Sequence, residues 1–493
     1  MVTFLGIDVG TSSTKGVLVD ESGTVLAQAV REHSVSRPDA GRVEIDGRLW
    51  WDEFVSIAAE LTDRASEPPS AIGISGMGPC VLLTDADDQP VAPAALYGVD
   101  TRATAEIEQL NDELGADAIF ETCDSYLSTQ SAGPKLRWFA NHMPEAYAAA
   151  RRFHMPASYI VARLTGEYVL DRQSASQSTP LYDATTQEWH TAWTDVVAPG
   201  ITLPRLAWAG DVAGSVTRAA AEAVPGLHPD TPVVVGTIDA WAEGLSVSAV
   251  SAGDLMLMYG TTLFLIGTTE HRVRHPSMWG TTGLSAGEWN LAGGMATSGA
   301  ITGWLRDLFG SPSYTDLVAE AGESGPGSRG LVMLPYFEGE RTPIQDPHAR
   351  GTVTGLTISH TRGDLYRAAL EATAFGVRHN IETFREAGVD VSRVVAVGGG
   401  TQSSLWPQIV SDVIGLPQEI RQVTVGASYG DAFLAARAAG LDVDIATWNP
   451  VTATVEPNTH QVYEDHYGHY RDLYAQTHHI QHALARESSG DRA

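Results

Sequence analysis

Phe4-Leu-Gly-Ile-Asp8-Val-Gly-Thr-Ser-Ser-Thr-Lys15-Gly-Val-Leu-Val19 decides how the chain folds. Phe4 to Asp8 is apolar and strand-like. Gly10 to Thr14 is turn chemistry, and Gly16 to Val19 returns as a second strand. Asp20-Glu21-Ser22-Gly23 then turns again before a third. Asp8 therefore stands at the mouth of a turn rich in glycine and hydroxyls. Such a turn points successive backbone N–H groups into one concavity, which suits phosphate oxygens. Thr11, Ser12 and Ser13 add side-chain donors, and a carboxylate beside bound phosphates holds Mg2+, usually through water. A Walker P-loop is excluded, because GxxxxGK[ST] is absent. A plain hairpin carrying a strand Asp fits this segment equally well.

Outward from the hairpin, Leu49 to Ala65 places Trp50, Phe54, Ile57, Ala58 and Leu61 at helical spacing. Ile72-Gly73-Ile74 reads as a short buried strand. The alternation of strands and helices predicts an α/β protein. Near Thr231 the pattern restarts. Pro232 to Val235 is a strand, Asp239 follows it, and a helix begins at about Ala240. Asp254 to Tyr259 is a strand, Gly260-Thr261-Thr262 a turn, and Leu263 to Gly267 the returning strand. This echo of the opening hairpin suggests two related α/β domains facing one another, residues 1–244 and 245–493. Two such turns would grip a phosphate tail from both sides. Later, Val394 to Val397 leads into Gly398-Gly399-Gly400 and a helix through Ser404 to Ile414. Glycine allows close backbone approach to a ligand, and a helix N-terminus favours anions. A purely structural turn has the same composition.

Asp239 is the strongest single candidate for catalysis. It follows the strand Val233-Val234-Val235 and Gly236, where a carboxylate within reach of a hydroxyl can take its proton during phosphoryl transfer. The competing local reading is a helix N-cap, which Asp commonly supplies.

The bulk numbers narrow the function classes. The chain has 493 residues and a formal net charge of −29, and Lys15 and Lys135 are its only lysines. Such a surface repels phosphate backbones and anionic lipid, which argues against nucleic acid and membrane as partners. Cys80 and Cys123 form no CxxC pair, and no apolar run approaches a membrane span. With no basic leader ahead of the first strand, a cytoplasmic location is expected. Tyr463, Tyr467, Tyr470 and Tyr474 mark one face of a packed helix, and residues 486–493 read as a frayed tail. His478 and His482 share i, i+4 spacing, but a solvated face explains them better than a metal site. HExxH and GxSxG are absent. Trp304 fits either a homodimer interface or the core.

Taken together, several segments resemble the FGGY carbohydrate kinases, of xylulose or ribulose kinase type. Asp8 to Lys15 is similar to that family's first phosphate motif. Gly351-Thr-Val-Thr-Gly-Leu356, then Asp364-Leu-Tyr-Arg-Ala-Ala-Leu-Glu371, match its C-terminal signature. Leu334 to Pro343 resembles the segment before that signature in xylulose-kinase-like members. Pro134-Lys135-Leu136-x-Trp138 resembles the N-terminal signature, with Gln130 and Ala132 departing from it. The resemblance covers about residue 4 to residue 475.

It implies two actin-like (ribonuclease H-like) ATPase domains with ATP and a small sugar in the cleft between them. It implies Asp239 as the catalytic base and Asp8 as the residue near Mg2+. Thr11, Ser12 and Ser13 would touch the phosphates from one side, and Gly260 and Thr261 from the other. Gly299, Gly303, Gly400, Thr401 and Ser404 match nucleotide-contact positions. On the sugar side it implies Met77, Gly78, Asp100 and Asp239.

That side departs from the family pattern. Gly76-Met77-Gly78-Pro79-Cys80 lacks the Gln-Met-His of xylulose kinases and the Asn-Gln-Arg-Glu of glycerol kinases. Ala240 follows Asp239, which is closer to ribulose-kinase-like members, and Tyr97 stands where Trp is usual. The reading is thus an ATP-dependent kinase for a pentulose. Another polyol, a sugar acid, or a nucleotide-dependent switch of the same fold are the alternatives.

Overall fold

A computed structural model describes residues 2–488. The chain forms two compact units. Unit 1 comprises Met1–Val250, Glu270–Asn290 and Val425–Pro450; unit 2 comprises Ser251–Thr269, Leu291–Thr424 and Val451–Ala493. The single boundary expected at 244/245 falls near the first crossing, but unit 1 also reclaims two later segments. The reason is steric. The helix Ala427–Ala438 seats on the first sheet through glycines far away in sequence, which no local pattern announces.

In unit 1 the strands run in the order Val212–Ser215, Pro232–Val234, Ala71–Gly76, Thr3–Val9, Ser13–Asp20, Val25–Glu32, and Thr237–Ile238 also pairs with Ala71–Gly76. Thr3–Val9 is antiparallel to Ser13–Asp20 and parallel to Ala71–Gly76. Strand side chains alternate between faces. Leu5, Ile7 and Val9, all buried, share the face of the helix Gly47–Asp63, which lies so close that a Cβ on Gly16 would come 2.4 Å from Ile57.

Gly6 and Asp8 point to the opposite face. Gly6 is register partner to Gly73. A Cβ on Gly6 would lie 1.9 Å from the Ser428 carbonyl oxygen, and one on Gly73 would lie 2.0 Å from that of Asp431. Only glycine lets the helix Ala427–Ala438 approach the sheet this closely. Gly430 does the same against the helix Asp239–Ser246, where a Cβ would be 2.1 Å from the Ala242 oxygen.

Unit 2 repeats the pattern. Asp254–Tyr259 is antiparallel to Leu263–Thr269 and parallel to Arg393–Val397, which is followed by Gln418–Arg421 and Val451–Val455. The echo read from the sequence is thus an echo of topology. The helix Arg362–Glu386 starts at a Thr361/Asp364 capping box.

The helix Gln461–Ser488 buries Tyr463, Tyr467 and Tyr470 as its spacing predicted. It runs on to Ser488, past the expected start of a frayed tail, and the rest of that tail lies outside the described residues. His482 bonds Asp346 at 2.7 Å, and among the described residues no cluster of three metal-ligating side chains is found. Trp304 is 49% exposed with its ring 5.0 Å from that of Phe337, so it belongs to the surface of unit 2 and not to the core. Both cysteines are free and buried. No helix among the described residues is long and apolar enough to cross a membrane.

Candidate active site

Strand register builds the site in unit 1. Lys15 faces Asp8 across the antiparallel hairpin, Asp8 faces Ser75 across the parallel pair, and Ser75 faces Thr237 on the next strand. The four residues form one row across the sheet. The chain ends following this row carry the remaining groups. Gly10 lies two residues past Asp8, Met77 two past Ser75, and Asp239 two past Thr237. Val9, Gly76 and Ile238, the last residues of these parallel strands, are register partners, so the Gly10 turn, the Met77 loop and Asp239 leave the sheet at one edge.

Asp239 is the first residue of the helix Asp239–Ser246, and its carboxylate accepts a bond from the Ala240 N–H at 2.8 Å. The N-cap position itself belongs to Ile238, so the capping reading does not account for this Asp. One helical turn on, Glu243 joins the group and bonds the Ala427 N–H at the start of the helix Ala427–Ala438. An anion is stabilised at a helix N-terminus. From that helix comes Asp431, wholly buried, with Oδ2 2.7 Å from the Ser75 hydroxyl. Sequence reasoning missed both residues. Glu243 carried a signal, its i+4 spacing from Asp239, whereas nothing near Asp431 in sequence points to Asp8.

Four carboxylates in one site raise one another's proton affinity. Burial pushes Asp8 up, the charge of Asp239 pushes further, and Lys15 pulls back. Burial likewise lifts Asp239, opposed by the Ala240 N–H. Glu243 is pushed up to about 7, by burial first, with Lys15 opposing and Asp239 reinforcing. Asp431 is held well above the usual carboxylate range, mainly by burial. A base whose proton affinity approaches neutrality suits transfer from a hydroxyl.

The phosphate turn closes with Gly10 N–H donating to Ser13 O at 3.0 Å. Ser12 and Lys15 are exposed, Ser13 is half-buried, and the Thr11 hydroxyl is 3.1 Å from that of Tyr97. On the acceptor side, Met77 is buried and its N–H bonds Val9 O. Gly78 packs so tightly on Ile238 that a Cβ would come within 2.6 Å. Met77, Gly78 and Asp239 are therefore neighbours, as expected.

Asp100 is not placed with them as an open acceptor. Its carboxylate binds the Val43 N–H at 2.7 Å and the Arg102 guanidinium at 2.7 to 3.0 Å, with no exposed side-chain surface. Its oxygens are spent on shaping the Tyr97–Arg102 loop.

Unit 2 gathers the other expected residues around Tyr259. The turn after it is knit to the helix Gly299–Leu308: Gly299 N–H donates to Gly260 O and Ala300 N–H to Thr261 O, both at 3.0 Å. Gly299 is obligatory there, since a Cβ would meet Gly260 O at 2.5 Å. Gly398, at φ +91°, and Gly400 lie against Tyr259 in the same way. Thr401 bonds back to Gly398 O through its hydroxyl at 2.8 Å. The triple glycine opens a short 3-10 turn, Gly399–Gln402, and the α-helix starts only at Leu405 behind Ser404. Gly303 sits a turn further along its helix and takes no part in the turn packing. A Cβ there would have the Tyr314 hydroxyl as its nearest neighbour, at 3.7 Å.

For a divalent cation the donor set of unit 1 is suitable in kind, being all hard carboxylate oxygen. Among the described residues no three ligands converge on one point.

Residues 3–245 match the FGGY family of carbohydrate kinases, N-terminal domain, and residues 255–439 match its C-terminal domain. A xylulose kinase of Escherichia coli is 29% identical over 444 residues, 88% of this chain and 89% of that protein. A gluconokinase of Bacillus subtilis is 28% identical over 461 residues, 89% of this chain and 86% of that protein. The crystal structure of a xylulose kinase from Rhodospirillum rubrum superposes with a TM-score of 0.91 at 31% identity, covering 97% of this chain and all of that one.

Proposed function

Because the chain belongs to the FGGY family of carbohydrate kinases, phosphotransferases with an alcohol acceptor, we propose that it phosphorylates a pentulose of the xylulose or ribulose type, with Asp239 as base. The observation that carries this reading is the convergence of Asp239, Met77 and Gly78 at the edge where Asp8 and the Gly10 turn also end.

Asp239 accepts the acceptor hydroxyl's proton as the new O–P bond forms, leaving ADP. The backbone N–H groups of the Gly10 turn, with Thr11, Ser12 and Ser13, hold phosphate oxygens on the unit 1 side. Gly260, Thr261, Gly299, Gly400, Thr401 and Ser404 are assigned as nucleotide contacts. Asp8 would hold Mg2+, and the ion would supply positive charge that offsets the phosphates.

A neutral ketose is favoured over a sugar acid, although a gluconokinase is among the relatives. Met77-Gly78-Pro79-Cys80 brings no cation to the acceptor side, and an ionised Asp239 repels a substrate carboxylate. The buried Lys135 ammonium is engaged with Thr129 O. The test is kcat/KM by coupled ADP release for D- and L-xylulose, D- and L-ribulose, gluconate and glycerol. A pentulose should lead the series. Gluconate or glycerol in first place would overturn the pentulose reading.

A further inference from the structure

We propose that Asp431 is a positioning residue for Asp8, acting through the Ser75 hydroxyl. This rests on the reading of Asp8 as the carboxylate beside the metal. Ser75 has one proton to donate. Its oxygen lies 2.7 Å from Asp431 Oδ2 and 3.5 Å from Asp8 Oδ1. The first is a full hydrogen bond and the second is at the limit of one. Asp431 thus claims the proton that Asp8 would otherwise receive. Asp8 keeps its lone pairs for the water shell of a cation.

Nothing in the fold requires an acid at this position. Asp431 is wholly buried and its Oδ1 has no hydrogen-bond partner. Such a group is costly to bury. Its placement is nonetheless rigid. The helix that carries it is bonded at its start by Glu243 and locked to the sheet at Gly6 and Gly73. A group that destabilises the fold yet is held this firmly has the signature of a functional constraint.

Removing Asp431 leaves Asp8 as the nearest acceptor for the Ser75 hydroxyl. That bond would compete with the cation. Removing Ser75 as well would take the competing donor away. The proposal therefore predicts rescue, which a merely structural role does not.

The experiment measures Mn2+ binding to the full-length enzyme with ADP, from the electron paramagnetic resonance of free Mn2+, and thermal midpoints alongside. Asp431→Ala should weaken Mn2+ about three- to tenfold, with a midpoint unchanged or raised. Adding Ser75→Ala should bring affinity back to within about twofold of wild type. Asp8→Asn should lose most binding. Wild-type affinity in Asp431→Ala, or a double variant that binds no better than Asp431→Ala, overturns the proposal while leaving the kinase reading intact. Unchanged binding in Asp8→Asn would remove the metal role of Asp8, and this proposal with it.

Discussion

Lys15 and Asp8 are direct partners across the first hairpin, and the Lys15 ammonium draws down the proton affinity of both Asp8 and Glu243. It is the positive end of a row that runs on through Asp8 to the hydroxyls of Ser75 and Thr237. The base must be ionised to work, so kcat/KM falls as pH drops through the pKa of the coupled carboxylates. Lys15→Met removes a charge that favours ionisation, and protons are then retained to higher pH. The acid limb of the pH–rate profile should move upward by about half a unit, since Lys15 is exposed and screened. Superimposable profiles would show that Lys15 does not set these carboxylates.

Gly73 is where the sheet meets the backbone of the Asp431 helix, with 2.0 Å between a would-be Cβ and the Asp431 oxygen. Gly73→Ala should destabilise by about 1–3 kcal/mol or more, the cost of overpacking. The control is Gly322→Ala, in the helix Tyr314–Ser324, where nothing lies within 4 Å. That change should be neutral or stabilising by up to about 1 kcal/mol. Denaturant midpoints of the two variants test the contrast.

Gly299→Ala forces apart the turn at Gly260 and the helix behind it. KM for ATP should rise about tenfold, with the KM for sugar changed far less. Equal effects on both substrates would detach this turn from the nucleotide.

Glu340, in unit 2, supplies a second pH signature. It accepts N–H bonds from Ala296 and Arg341, both at 2.8 Å, yet burial dominates and pushes it up to about 8. In the unfolded chain a Glu titrates near about 4.3. Its contribution is therefore complete below that pH, is lost as pH rises to about 8, and is constant above. Glu340→Gln should flatten the decline in unfolding free energy between about pH 5 and about pH 8.5. An unchanged slope would place the decline elsewhere.

The parts legible in the sequence were those with local signals. Alternation showed the hairpins at Asp8 and Tyr259, and strand-end position singled out Asp239. What stayed hidden depends on contacts distant in the chain. Asp431 reaches Ser75 only because Gly6 and Gly73, register partners on two strands, admit a helix from more than three hundred residues later. Asp100 shows the opposite failure. The resemblance put it on the sugar side, and only the fold reveals that Val43 and Arg102 occupy its carboxylate. The hairpins match in topology, but Met258 occupies the place equivalent to Asp8. The second hairpin thus lacks the strand-end carboxylate of the first, which counting turns could not have told.

The most direct test is steady-state ADP release by Asp239→Asn against wild type, at saturating Mg-ATP with the best pentulose. The amide keeps the shape and loses the base. Sugar-dependent kcat should fall about 10²- to 10⁴-fold, with an unchanged thermal midpoint and little change in sugar KM. A variant that turns over sugar at the wild-type rate would contradict the assignment of Asp239 as the base.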